Sequence, residues 1–226
     1  VMNGVGNPDL IIPAGASPHE YQLKPSNAKS LQNADIVFWI GEDLTPWLEK
    51  GLSSLAQDAS ITSLLDLSGL ELLSFREGAL FEAHDHGEDH DDHDDHDHDK
   101  KKHDDHDDHD DHAHGEHDPH AWLSPQIAKI WLNVIAAKLS EVDPDNAAKY
   151  FSNAKSARDN VDSLVSEVNS ILDPIRDKKF VVFHDAYQYF EKDFGISASG
   201  AISLGDASDP SPARLSEIRR RVVDEA

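Results

Sequence analysis

Residues 145 to 172 run without a glycine or a proline, and that stretch limits the fold more than any other feature of the chain. It carries Tyr150, Phe151, Ala154, Val161, Leu164, Val165, Val168 and Leu172. At the helical rise per residue it makes a helix of about 40 Å. That is long enough to connect two domains, and 226 residues with 38% apolar content can bury one large core or two modest ones. The chain therefore divides into an N-terminal lobe at 1–140, a long linking helix at 141–176 and a C-terminal lobe at 177–226.

On both sides of this helix, strand-like runs alternate with helix-like ones. Before it come "DLIIP", "PSNAKSLQNA", "DIVFWIG", "TPWLEKGLSSLA" and "ASITSLL". The segment "SPQIAKIWLNVIAAKLSEV" places Ile127, Ile130, Trp131, Val134, Ile135 and Leu139 at helical spacing behind a Ser-Pro start. After the linking helix, "KKFVVFHD" reads as a buried strand, "AYQYFEKDF" as a helix and "ISASGAISL" as a second strand. "SPARLSEIRRRVVDEA" puts Leu215, Ile218, Val222 and Val223 on one helical stripe. The alternation predicts an α/β fold, with mainly parallel sheets covered by helices.

Residues 84 to 118 obey none of these periods. They hold 17 acidic residues against three lysines, a charge of −14 out of the chain's −24. The same span contains His84, His86, His90, His93, His96, His98, His103, His106, His109, His112, His114 and His117, several of them repeating at period three. A helix here would stack like charges, and a strand would bury nothing, so without metal the tract is expected to lack stable structure. Imidazole nitrogen with carboxylate oxygen is nevertheless a good ligand set for zinc, copper or nickel. The tract is read as a weak, multiple metal-binding insert, whose uptake should fall as pH drops through about 6.5 because histidine must lose its proton to bind.

Composition narrows the partners. So acidic a chain is repelled by nucleic acid and by anionic membrane surfaces, whereas divalent cations are concentrated near it. With no cysteine, a metal site must use nitrogen and oxygen. No run approaches the roughly 18 apolar residues of a membrane span. The chain opens at Val1 without a targeting signal and stops at Ala226 without a helix cap, so both ends read as cut.

Three histidines lie outside the tract: His19 in "PAGASPHEYQLKPS", His120 in "DPHAWLSP" and His184 at the end of "KFVVFHD". Pro119 fixes the backbone before His120, and Trp122 and Leu123 anchor it apolarly, so this histidine belongs to the ordered protein. His19, read as following a strand, and His184 sit where open α/β sheets bind ligands, beyond the carboxyl ends of strands. Taken singly, each is more often an ordinary, partly buried histidine than a ligand. Together they could hold zinc with one tetrahedral position left for water or a carboxylate, and neutral imidazole suits zinc better than calcium, magnesium or manganese. The chain has no H-E-x-x-H, no phosphate loop and no G-x-S-x-G.

The stretches "GASPHEYQLKPSNAKSLQNADIVFWIGEDLTPWLEK", "PHAWLSP" and "VVFHDAYQYFEKDFGI", with the His/Asp-rich insert between the first two, closely resemble the periplasmic zinc-binding proteins of zinc ABC importers, the ZnuA-like branch of the metal-binding solute receptors. The resemblance covers essentially the whole chain outside the insert. It implies two α/β lobes joined by a long rigid helix, with metal in the cleft between them. His19, His120 and His184 fall on the family's three histidine ligands, and manganese-binding relatives usually carry Glu in place of His184, which favours zinc. Some zinc members have an acidic residue where this chain has Pro18. The fourth ligand is then water, Glu20 or a carboxylate beyond Ala226, and the first strand and much of the first helix would precede Val1.

The expected function is zinc capture without catalysis and delivery to a membrane ABC permease, by a monomeric periplasmic carrier. Asp185, beside His184, is expected either to hold that ring or, by preference, to cap the following helix. Two alternatives belong to other classes: a His-rich metal storage or chaperone protein, and a three-His zinc hydrolase or lyase.

Overall fold

A computed structural model describes residues 1–76, 117–203 and 210–224. Eleven of the tract's histidines, His84 to His114, lie outside the described residues, as does the expectation that the tract lacks stable structure.

The helix-like runs all form helices. α1 spans Pro25–Gln32, α2 Pro46–Leu55, α3 Pro125–Val142, α4 Ala147–Leu172, α5 Gln188–Phe194 and α6 Pro212–Asp224. Four of them start on proline, whose fixed φ suits the first helical turn and whose missing N–H is not needed there. The Ser124 hydroxyl caps α3 by accepting the Ile127 N–H at 3.3 Å. α4, the linking helix, has 26 residues and is flanked by 3-10 turns at Pro144–Asn146 and Asp173–Ile175. It packs along α3, burying Ala136 and Leu139 against Tyr150 and Ala154.

The strands form two separate parallel pairs. β1 (Ile36–Trp39) runs beside β2 (Ser60–Ser63) with Ile36 opposite Ser60 and Trp39 opposite Ser63. β3 (Val182–His184) pairs with β4 (Ala201–Ser203), His184 lying opposite Ser203. Parallel neighbours need a crossover, which α2 supplies in the first pair and α5 in the second. α5 ends at Gly195, whose left-handed φ of 63° is the conformation that ends many helices and favours glycine. α2 packs Leu48 and Leu52 onto Val37 of β1 and Leu31 of α1. Truncating a side chain as enclosed as Leu31 costs about 2–5 kcal/mol.

The core bridges the two pairs. Tyr189 of α5 is buried with Leu64, Leu65, Ala121, Ile127 and Trp131. The second pair is thus keyed into the first beside the turn that carries His120.

Three sequence expectations are corrected. "DLIIP" is no strand: β1's described ladder is to β2 alone, Leu10 is exposed, and Asp9 accepts a hydrogen bond from Ser30 of α1. Apolar content makes a strand only where a neighbour completes the ladder. β3 is not a buried strand, because Phe183 is 64% exposed. On α6 only Ile218 of the stripe is buried, and Leu215, Val222 and Val223 face outward. The helix meets the second pair mainly through β4, where Arg214 Nε donates to the Ala201 carbonyl at 2.9 Å.

Candidate metal centre

His19 lies in the irregular run before α1, not after a strand as expected. A turn closes where the Ala16 N–H donates to the Pro13 carbonyl, and the indole of Trp47, at the start of α2, donates to the Pro18 carbonyl at 2.9 Å. That bond fixes the backbone one residue before the histidine. His184 closes β3 and enters a tight turn in which the Ala186 N–H donates to the His184 carbonyl at 2.9 Å. His120 is the most enclosed of the three, 4% exposed, and leads into a 3-10 turn at Ala121–Leu123.

The three rings converge. His120 Nε2 lies 3.2 Å from His19 Nε2 and 3.1 Å from His184 Nε2. One nitrogen from each residue falls within 4.8 Å of the others, and no further His, Cys, Asp or Glu joins this group among the described residues. Three nitrogens at zinc–nitrogen bonding distance in a tetrahedron stand about 3.4 Å apart, so two of the three spacings already match. Glu20 is exposed and outside the group, and so is the half-buried His117.

Asp118 decides which nitrogen of His120 faces the other two. Its Oδ1 lies 2.7 Å from His120 Nδ1 and also accepts the His120 backbone N–H at 2.9 Å. Gln188 donates to Oδ2 at 3.1 Å. Burial alone would raise the Asp118 pKa, but the hydrogen bonds from the His120 ring and backbone and from Gln188 outweigh it, and the carboxyl is held below its ordinary value. An ionised carboxylate only accepts, so this network assigns the proton to Nδ1 and leaves the Nε2 lone pair pointing at the other rings. With their Nε2 atoms also unprotonated, His19 and His184 would complete a set of three nitrogen lone pairs that a cation between them could coordinate.

The backbone of Asp118 is pinned as well. Its N–H donates to the Leu73 carbonyl at 2.8 Å, and its carbonyl accepts the Tyr189 hydroxyl at 2.8 Å. The same hydroxyl accepts the Leu73 N–H at 3.0 Å. Burial pushes the Tyr189 phenol up to about 12, so it stays protonated and able to donate at neutral pH. By composition Asp118 is the last acid of the tract, but it is 2% exposed and belongs to the site. One sequence signal pointed there: in Asp118-Pro119-His120 a carboxylate can accept from the N–H two residues on, as in an Asx turn.

Asp185 does neither job expected of it. α5 has Tyr187 at its N-cap with no side-chain cap, while Asp185 pairs with Arg76, a residue the sequence did not single out. Burial raises the Asp185 pKa above its ordinary value and the nearby Asp118 and Glu191 charges add to this, with Arg76 opposing. A groove of about 1080 Å³ is lined by residues that include Leu10, Val37, Leu48, Leu132 and Tyr150, and none of the three histidines lines it.

The family model described as "Zinc-uptake complex component A periplasmic", ZnuA, matches residues 1–226. The high-affinity zinc uptake system protein ZnuA of Brucella abortus (strain 2308) is 46% identical over 228 residues, covering 98% of this chain and 68% of that protein. The protein of the same name from Paracoccus denitrificans (strain Pd 1222) is 49% identical over 225 residues, covering 100% of this chain and 68% of that protein. A crystal structure of ZnuA superposes with a TM-score of 0.70 at 22% identity, over 95% of this chain and 68% of that one, a likeness of fold. Matched over its whole length by the family model and by such relatives, the chain belongs to the ZnuA family of periplasmic zinc-uptake components.

Proposed function

We propose that this chain is the metal-capturing component of a zinc importer, holding zinc as cargo through Nε2 of His19, His120 and His184 and passing it to the membrane permease of an ABC transporter. The observation that carries the reading is the convergence of the three rings, with Asp118 fixing the tautomer of the central one. A set of three imidazoles suits zinc, whereas calcium, magnesium and manganese favour oxygen. The zinc-uptake names of the relatives support the same cargo. The fourth position falls to water or to a carboxylate, and the exposed Glu20 is a poor candidate for it.

The carrier works in the periplasm, in keeping with the family's description, and we read it as a monomer. Among the described residues no helix is long and apolar enough to cross a membrane. We read 1–140 and 177–226 as its two lobes on the linking helix of 141–176, with Tyr189 joining their cores. The tract acts as an accessory set of weak sites for zinc, copper or nickel. The described residues on either side of the tract meet beside the site, where Asp118 bonds to Leu73.

Capture needs no chemistry at the metal, and this favours a carrier over a hydrolase or lyase. A three-imidazole zinc would acidify a bound water, but the large groove lies away from these rings. Competition between the full-length protein and a zinc chelator tests the reading. One tight site that survives deletion of residues 84 to 117 and is lost in His120→Ala is expected. Loss of all tight binding on the deletion would mean storage in the tract instead, and zinc-dependent turnover of a model ester would revive the enzyme.

A further inference from the structure

We propose that Arg76 is a positioning residue for the metal site: by gripping Asp185 and Glu191 at once, it fixes the turn that aims His184 at His120. The inference rests on the ligand reading above. Arg76 lies on none of the elements that carry the three histidines; it ends the first described stretch, on the stem leading into the insert. Its Nε donates to Asp185 Oδ2 at 3.2 Å, and its Nη2 donates to Asp185 Oδ1. Nη1 reaches Glu191 Oε2 at 2.9 Å and Nη2 reaches Glu191 Oε1 at 3.0 Å. The guanidinium therefore presents a two-pronged edge to each carboxylate, which a lysine ammonium cannot do.

Both carboxylates are nearly enclosed, with side chains 7% and 6% exposed. Glu191 is also fixed from its other side, accepting the Ala198 N–H at 3.0 Å. Through Arg76, α5 and the segment that follows it thus hold Asp185. Asp185 is in turn one peptide bond from His184, inside the turn closed by the Ala186 N–H on the His184 carbonyl. Removing the guanidinium would leave two enclosed carboxylates facing each other without a counter-charge. That arrangement is costly enough to open the turn to water. Coordination bonds tolerate only about 0.2 Å of error, so a shift too small to unfold the protein still misplaces the His184 nitrogen. His120 is held by Asp118 directly, and Arg76, acting through Asp185, grips the backbone turn that carries His184.

The test uses the full chain and zinc alone, with cobalt(II) as a spectroscopic substitute. Zinc affinity by chelator competition, the visible spectrum of the cobalt form and the metal-free unfolding midpoint are measured for Arg76→Met, Arg76→Lys and, as a destabilised control in the core between α3 and α4, Leu139→Ala. Arg76→Met should bind zinc at least tenfold more weakly with an altered cobalt spectrum. Arg76→Lys should recover only part of both, and Leu139→Ala should keep native affinity and spectrum despite its lower midpoint. Native affinity and spectrum in Arg76→Met, or equal losses in it and in Leu139→Ala, would overturn the proposal. If Arg76→Met fails to fold, Arg76→Lys decides, and a native affinity and spectrum there overturns it equally. A His184→Ala arm keeps the two ideas apart: unchanged tight binding there defeats the ligand reading itself, whereas loss there with none in the Arg76 variants defeats only this inference.

Discussion

His120 and His19 point at the same place from different supports. His120 is buried, follows a proline, and has its ring and its backbone N–H bound by one carboxylate, which α5 and the stem of the insert hold in turn. His19 is half-buried in an irregular run whose backbone is anchored by a bond from Trp47 to the preceding carbonyl. The contrast teaches that the site is built outward from one fixed ring. His120 contacts both other rings through the same nitrogen, so its loss removes the centre of the group.

The largest effect should therefore come from His120→Ala. Zinc affinity should fall at least tenfold, or about 1.4 kcal/mol, in chelator competition. Asp118→Ala comes next, at about tenfold, because a partner that fixes the tautomer of a ligand typically contributes that much. In a double-mutant cycle, Asp118→Ala should add little once His120 is alanine, since the carboxylate acts through that ring. Additive losses would break the comparison by showing that Asp118 serves the whole cleft.

A smaller effect is expected at the looser end. Trp47→Phe keeps the ring and removes the bond to the Pro18 carbonyl, a loss of about 0.5–1.5 kcal/mol if fully felt at His19. Zinc affinity should drop about threefold. A loss as great as that of Asp118→Ala would mean that the His19 run is as firmly built as the His120 turn. The smallest effect belongs to the tract. His112→Ala removes one of many interchangeable imidazoles and should change tight binding by no more than roughly a few tenths of a kcal/mol.

A control away from the three rings tests stability without touching zinc. The Tyr150 hydroxyl donates to Asp143 at 2.7 Å, and this bond, with that of Asn146, holds the Asp143 carboxyl below its ordinary pKa. A lowered carboxyl contributes stability above the ordinary carboxylate range and loses it as pH falls through the lowered value. Tyr150→Phe should be less stable than native at neutral pH, with the gap closing in strong acid. Zinc affinity should stay native. A gap that widens in acid would contradict the assignment.

Much of this was legible in the sequence, for physical reasons that also mark where legibility stops. The linking helix and both βαβ units announce themselves through local periodicity, and the three histidines stand out because they lie outside the tract, beside segments that read as helix or strand. "DLIIP" misled because apolar composition is local while a ladder partner is not. Asp118 was hidden by its neighbours: in a run of aspartates, composition gives no reason to separate the one that is buried. Arg76, Asp185 and Glu191 are joined across more than a hundred residues of chain, and no spacing rule reports such a contact.

The most direct test of the central claim is anomalous diffraction at the zinc edge, from crystals of the full chain loaded with one equivalent of zinc. The account predicts one dominant peak about 2.0–2.1 Å from Nε2 of His19, His120 and His184, with Asp118 still on His120 Nδ1. A dominant peak elsewhere, or one at the cleft that leaves any of the three imidazoles uncoordinated, would contradict it.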